Sequence, residues 1–177
     1  MRWVVLLRGV NVNGVSVKSA PLAACLQDAG FTVVRTVLAS GNVTFASEDG
    51  TSRDDVKART EQALRAGFGY DAWVVVLTPD RLAEIVAQYP FARDDEQWHP
   101  YVVFASDPGR LAELFARHEA NDAESVELAG DVAYWRCPKG SSTDTPFAKL
   151  SAAARWKPVV TTRNLRTVDK LLAAARP

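Results

Sequence analysis

Gly41-Asn42-Val43-Thr44-Phe45 and Gly130-Asp131-Val132-Ala133-Tyr134 read alike. Each is a glycine followed by a turn-forming residue and an apolar strand, with a second apolar run ahead of it, which is the local signature of a β-hairpin. The two glycines stand 89 residues apart, and the segments around them recur in the same order. The chain therefore reads as one supersecondary unit written twice.

Working outward from the first glycine, Trp3 to Leu7 is a continuous apolar run, the pattern of a strand covered on both faces. Leu22, Cys25, Leu26 and Ala29 share one helical face, with Ser19 as the expected N-cap and Gly30 as the stop. Phe31 to Ala39 and Val43 to Phe45 are the hairpin strands about Gly41-Asn42. Asp54 and Asp55 suit the positive end of a second helix carrying Val56, Thr60, Ala63 and Leu64, with Gly67 and Gly69 ending it. Trp73 to Leu77 is a fourth strand. Thr78-Pro79 is a cap and a first-turn proline, followed by the face Leu82, Ile85, Val86 and Tyr89.

The aperiodic stretch Pro90 to Pro100 separates the copies, so the boundaries fall at 1–89 for the first unit, 90–99 for a linker and 100–177 for the second unit. Tyr101 to Ala105 answers Trp3 to Leu7, and Asp107-Pro108 opens a helix with the face Leu111, Leu114, Phe115 and His118. Ser125 to Leu128 and Val132 to Trp135 form the second hairpin. A helix near Thr145 to Ala154 and a strand at Val159-Val160 follow, and Thr161-Thr162-Arg163-Asn164 occupies the capping place of Thr78-Pro79. Leu165, Val168, Leu172 and Ala175 form the last apolar face. A βαββαβα unit with right-handed crossovers closes as a four-stranded antiparallel sheet backed by helices, so the expected fold is α+β, a tandem duplication of a ferredoxin-like βαββαβ(α) unit. In that topology the loop leaving the first strand and the turn leaving the second lie at one sheet edge. Arg8 to Lys18 should therefore meet Ser40-Gly41-Asn42.

Three motifs, Leu7-Arg8-Gly9-Val10-Asn11-Val12-Asn13-Gly14, Ser40-Gly41-Asn42-Val43-Thr44-Phe45 and Thr161-Thr162-Arg163-Asn164 followed by Thr167-Val168, resemble the bacterial family known as domain of unknown function 1697. The resemblance runs from residue 2 to about residue 172. It implies the duplicated ferredoxin-like fold and no established activity. The family's first motif usually has a second glycine where Asn13 stands and a lysine near Val15, and its last often has tryptophan where Leu165 stands.

Composition narrows the function classes. Lys and Arg number 21, as do Asp and Glu, giving zero net charge in 177 residues. A protein that neutralises many phosphates carries a basic excess, so extended nucleic acid is not an expected partner, whereas one small anion is. Met1-Arg2 precedes only a short apolar run, and the longest later run, Ala72 to Leu77, is far below the roughly 20 residues of a membrane span. Neither secretion nor membrane insertion is expected. Cys25 and Cys137 lie at neither redox nor metal spacing, which fits free thiols in the cytoplasm.

Gly9 and Gly14 have the spacing of a phosphate-binding loop, but the lysine position holds Val15 and the helix starts several residues too late for its amides to face a phosphate. A glycine-assisted connection explains them. Arg8, Asn11 and Asn13 place a cationic fork and two amides at the end of a central strand, where they suit a carboxylate or phosphate; the alternative is that the asparagines bond their own loop backbone and Arg8 pairs with a local carboxylate. Ser40, Gly41 and Asn42 are turn formers, with binding as an added role. Thr162, Arg163 and Asn164, read with Thr161 as a helix cap beside an arginine, form a second candidate anion site.

Lys139-Gly140-Ser141-Ser142-Thr143 reads as a solvated loop or a lid. His99 and His118 lack catalytic or zinc spacing, and Trp73, Trp98, Trp135 and Trp156 read as core or interface. No catalytic residue, metal site or cofactor is identified, and the oligomeric state is not legible. The leading expectation is an uncharacterised cytoplasmic protein that holds a small anionic or nucleotide-like ligand at the loop edge of the first unit. The alternatives are a nucleic-acid-associated module, or an enzyme whose acid and base are distant in sequence.

Overall fold

Strand β1 (Arg2–Arg8) lies centrally in the first of two four-stranded antiparallel sheets. In the computed structural model, which describes residues 1–8, 17–38, 41–69 and 71–176, it is followed by α1 (Ser19–Asp28), β2 (Thr32–Thr36), β3 (Asn42–Ala46), α2 (Arg53–Phe68), β4 (Trp73–Leu77) and α3 (Pro79–Ala87). The second repeat is β5 (Trp98–Ala105), α4 (Pro108–Phe115), β6 (Ser125–Ala129), β7 (Val132–Pro138), α5 (Pro146–Ala152), a 3-10 turn (Ala154–Trp156), β8 (Val160–Asn164) and α6 (Leu165–Ala175). The strand orders, β2-β3-β1-β4 and β6-β7-β5-β8, are the same. This is a duplicated ferredoxin-like α+β fold.

By contact, Met1–Glu84 with Thr167–Pro177 makes one unit and Ile85–Arg166 the other. In the first, Trp3, Val5 and Leu7 of β1 pack with Leu22 and Leu26 of α1 and with Val56 and Leu64 of α2. Val4 and Leu6 point the other way and are also buried, so the apolar run has two covered faces, as its lack of alternation demands. Each such side chain contributes roughly 1.5–3 kcal/mol. In the second unit Val103, Ala105, Ala133 and Trp135 pack with Leu111 and Leu114 of α4 and with Phe147 of α5. Among the described residues no helix is long and apolar enough to cross a membrane.

Several local expectations are corrected. Lys18 rather than Ser19 is the N-cap of α1, with no side-chain cap bond. Gly67 lies inside α2 rather than ending it. A Cβ there would come within 2.9 Å of Cys25 Sγ, so glycine is what lets the two helices approach. Gly69, at φ 66°, is the actual stop. Strand β2 covers Thr32–Thr36 only, less than the apolar pattern suggested, and its pairing with β3 shifts register between Thr32 and Arg35, where Val33 stands at φ 52°.

The two hairpins also differ. Ala129 faces Val132 across a two-residue turn, Gly130-Asp131, whereas in the first repeat Val37 N donates to Asn42 O at 2.8 Å across a connection running from 38 to 41. Asn42 is therefore the first residue of β3 and not part of the turn. Since Val5 faces Val43 and Val103 faces Ala133, the structural counterpart of Val43 is Ala133 rather than Val132. The similar pentapeptides are out of step by one residue, which in a strand exchanges the two faces.

Candidate functional site

The end of β1 meets the start of β3. Leu7 N donates to Gly41 O at 2.7 Å, and Leu6 faces Asn42 across the strand pair. Asn42 is fully buried. Its Nδ2 donates to Val37 O at 3.1 Å while its carbonyl accepts from Val37 N, so one residue clamps the connection from both sides. Leu38 and Gly41, at φ 59° and 70°, make the left-handed bends between these anchors.

Arg8, two residues beyond Leu6 on the same pleat face and opposite Trp73, is a diagonal neighbour of Asn42. It is half-buried, and loss of solvent pushes its pKa below the ordinary arginine value. Arg8, Gly41 and Asn42 thus share one edge. Asn11, Asn13 and Ser40, and the Gly9–Gly14 connection, lie outside the described residues.

The second cluster differs from its reading as a cap. Thr161, Thr162, Arg163 and Asn164 are in β8, and the helix cap is Asn164, whose Oδ1 accepts from Arg166 N at 3.0 Å. Asn164 is therefore the counterpart of Thr78, whose Oγ1 accepts from Arg81 N at 3.2 Å. The buried Arg163 turns back along its own strand, with Nη1 donating to Thr161 Oγ1 at 2.7 Å and to Thr162 O at 2.9 Å. Three more residues of extended chain, which the threonines favour, moved the helix start past Thr161.

Lys139 to Thr143 is held at its start by one long-range bond and one turn: Lys139 N donates to Gln97 O at 2.9 Å and Ser141 N to Pro138 O at 3.1 Å. His118 packs edge-on against Phe147, centroids 5.4 Å apart. No group of three or more metal-ligating side chains occurs among the described residues.

Two features escaped the sequence. A cleft of about 800 Å³ opens between α1 and α2, lined by Ala24, Cys25, Asp28, Arg59, Ala63 and Gly67 among others. Alanine and glycine carried no chemical signal there. Cys25 Sγ donates to Ala63 O at 3.3 Å, and burial, then the Asp28 carboxylate, raise its pKa, so it is not an activated thiol. The other is Glu124, buried beneath Trp135 and Phe147.

Cys137, also buried, is raised to about 11 by loss of solvent and then by Glu124. At pH 8 about one Cys137 in a thousand is thiolate, so a thiol reagent should label it only after unfolding. Fast labelling of the native protein would contradict this. Because the folded pKa lies above the unfolded one, the thiol's stabilising contribution is complete below about pH 9 and is lost as pH rises toward 11. Urea midpoints should fall over that range, less steeply in Cys137→Val.

The two equivalent strand orders define a duplicated ferredoxin-like protein. Residues 1–134 match the family described as "Protein of unknown function (DUF1697)", and the chain belongs to that family. No curated protein matches it. A similar solved structure is that of the conserved bacterial protein SP0830 from Streptococcus pneumoniae, with a TM-score of 0.81 and 20% identity over 99% of this chain and 98% of that one. At that identity the likeness concerns the fold.

Proposed function

We propose that this protein binds a small anionic, nucleotide-like ligand at the loop edge of its first unit, with Arg8 as the anchor, Asn11, Asn13, Ser40 and Gly41 around it, and the buried Asn42 holding that edge in place. The observation that carries the reading is the bond from Leu7 N to Gly41 O, which ties the strand end bearing Arg8 to the end of the connection that leads into Asn42 of β3. A guanidinium on a rigid central strand, partly withdrawn from water, binds a phosphate or carboxylate more strongly than one in bulk solvent. Thr162, Arg163 and Asn164 stay with this reading as a second polar strand end. Zero net charge favours a small ligand over extended nucleic acid. The cytoplasmic setting rests on the two free thiols.

The test is Arg8→Lys, titrated with AMP and with inorganic phosphate by calorimetry. A bidentate anchor predicts at least about tenfold weaker binding, about 1.4 kcal/mol, with little change in melting temperature, because an ammonium keeps the charge and loses the planar fork. Unchanged affinity with a lowered melting temperature would make Arg8 a structural residue and end the proposal.

A further inference from the structure

Among the described residues, Arg59 stacks on Phe31, Arg110 and Arg155 on Trp156, and Arg136 on both Phe91 and Trp98. Arg59 donates through Nη2 to Ala29 O at 2.8 Å, and Arg110 donates to Glu113 Oε2 at 3.2 Å and to Arg155 O at 3.4 Å. Those two serve their own surroundings. Arg155 is exposed and meets a single ring.

Arg136 is built differently. Its Cζ lies 5.1 Å from the Phe91 centroid and 4.8 Å from that of Trp98, and its Nε donates to Ser125 Oγ at 3.2 Å on the neighbouring strand. Two rings and one hydroxyl thus set the plane and rotation of the guanidinium, and its remaining donors are the two terminal nitrogens. The group is half-exposed, and no described carboxylate pairs with it. Glu127, two residues from Ser125 along β6, is exposed and forms no ion pair with it, and Asp95 Oδ1 accepts from Gln97 N at 2.8 Å.

The fold itself does not require this arginine. With Val43 matched to Ala133, the position of Arg136 in the first repeat is held by Ala46, which faces Arg2 as Arg136 faces Pro100. A planar donor pair held at low rotational freedom and half-withdrawn from water is a receptor for a planar or tetrahedral oxyanion.

We propose that Arg136, oriented by Phe91, Trp98 and Ser125, anchors an oxyanion-binding site in the second unit, which takes a carboxylate or phosphate group through the two terminal nitrogens. The site is independent of the one proposed at Arg8.

The test follows the Arg136 Nε–Hε resonance of the full-length, isotope-labelled protein by NMR during separate titrations with inorganic phosphate and with acetate. Saturable movement is expected with at least one anion, at least tenfold weaker for the same anion in Arg136→Lys, read from backbone resonances of β6 and β7, and unchanged in Arg8→Lys. Response to both anions defines a general oxyanion site, and response to phosphate alone a phosphate site. Should Arg136→Lys fold poorly, Ser125→Ala serves instead, and severalfold weakening is expected because the fork loses its rotational lock. No saturable movement with either anion in the native protein overturns the proposal. So does equal binding in the folded Arg136→Lys variant.

Discussion

Glu124→Ala should destabilise the protein by roughly 2–5 kcal/mol, measured by urea unfolding with tryptophan fluorescence. The residue is only 4% exposed. Its Oε2 accepts from Trp135 Nε1 at 2.9 Å, and its Oε1 accepts from Phe147 N at 2.7 Å, with a longer contact from Asn121 Nδ2 at 3.5 Å. Phe147 is in the first turn of α5, where backbone amides have no partner within the helix and a negative charge is favoured. One carboxylate thus satisfies an indole and a helix end that are both cut off from water. Alanine leaves two buried donors unpaired, each costing about 1–3 kcal/mol. Glu124→Gln keeps acceptor capacity on one oxygen only and should fall between. A loss below about 1 kcal/mol in the alanine variant would show that water reaches these donors.

Asn42→Asp should be nearly as costly at neutral pH, and its cost should depend on pH. The side chain of Asn42 is fully buried, with Nδ2 donating to Val37 O. An aspartate turns an oxygen toward that carbonyl and places a charge where water cannot reach it. Its carboxyl is therefore held protonated, with a folded pKa above the unfolded value of about 3.9. A raised folded pKa means that the compensation is complete below about pH 4 and is lost as pH rises through the folded value. The deficit against the native protein should be about 1 kcal/mol near pH 4 and about 3 kcal/mol or more at pH 7. A deficit that stays constant between those pH values would mean that the position is solvated. The same variant tests the clamp on the connection from 38 to 41, since loss of its anchor should loosen the edge at Arg8.

What could be read of Arg8, Glu124 and Arg136 divides between near and distant partners. Arg8 was legible because strand direction alone brings its end to the turn after β2. Glu124 was not, since its donors lie 11 and 23 residues away in sequence and nothing local marks it as different from a surface glutamate. Arg136 likewise looked like an ordinary strand arginine. Its ring partners come from the connection before β5 and from the first residue of β5 itself.

The sequence by itself determined the order of elements and the duplication, because each depends on neighbours along the chain. Thr78 ahead of Pro79, Asp107 ahead of Pro108, Ser52 three residues before Asp55, and Gly69 all act within one helical turn. Tertiary structure alone decided the register. The two pentapeptides match best 89 residues apart, yet the strands that carry them are equivalent only when Val43 is set against Ala133. A longer first connection and the burial of Asn42 absorb the difference. Likewise, the last helix starts after Asn164 rather than at Thr161 because β8 keeps pairing with β5 as far as Tyr101. In both places local propensity allowed more than one solution. The choice fell to cross-strand hydrogen bonds and to which face of each strand could be buried, quantities that exist only once the sheet has formed.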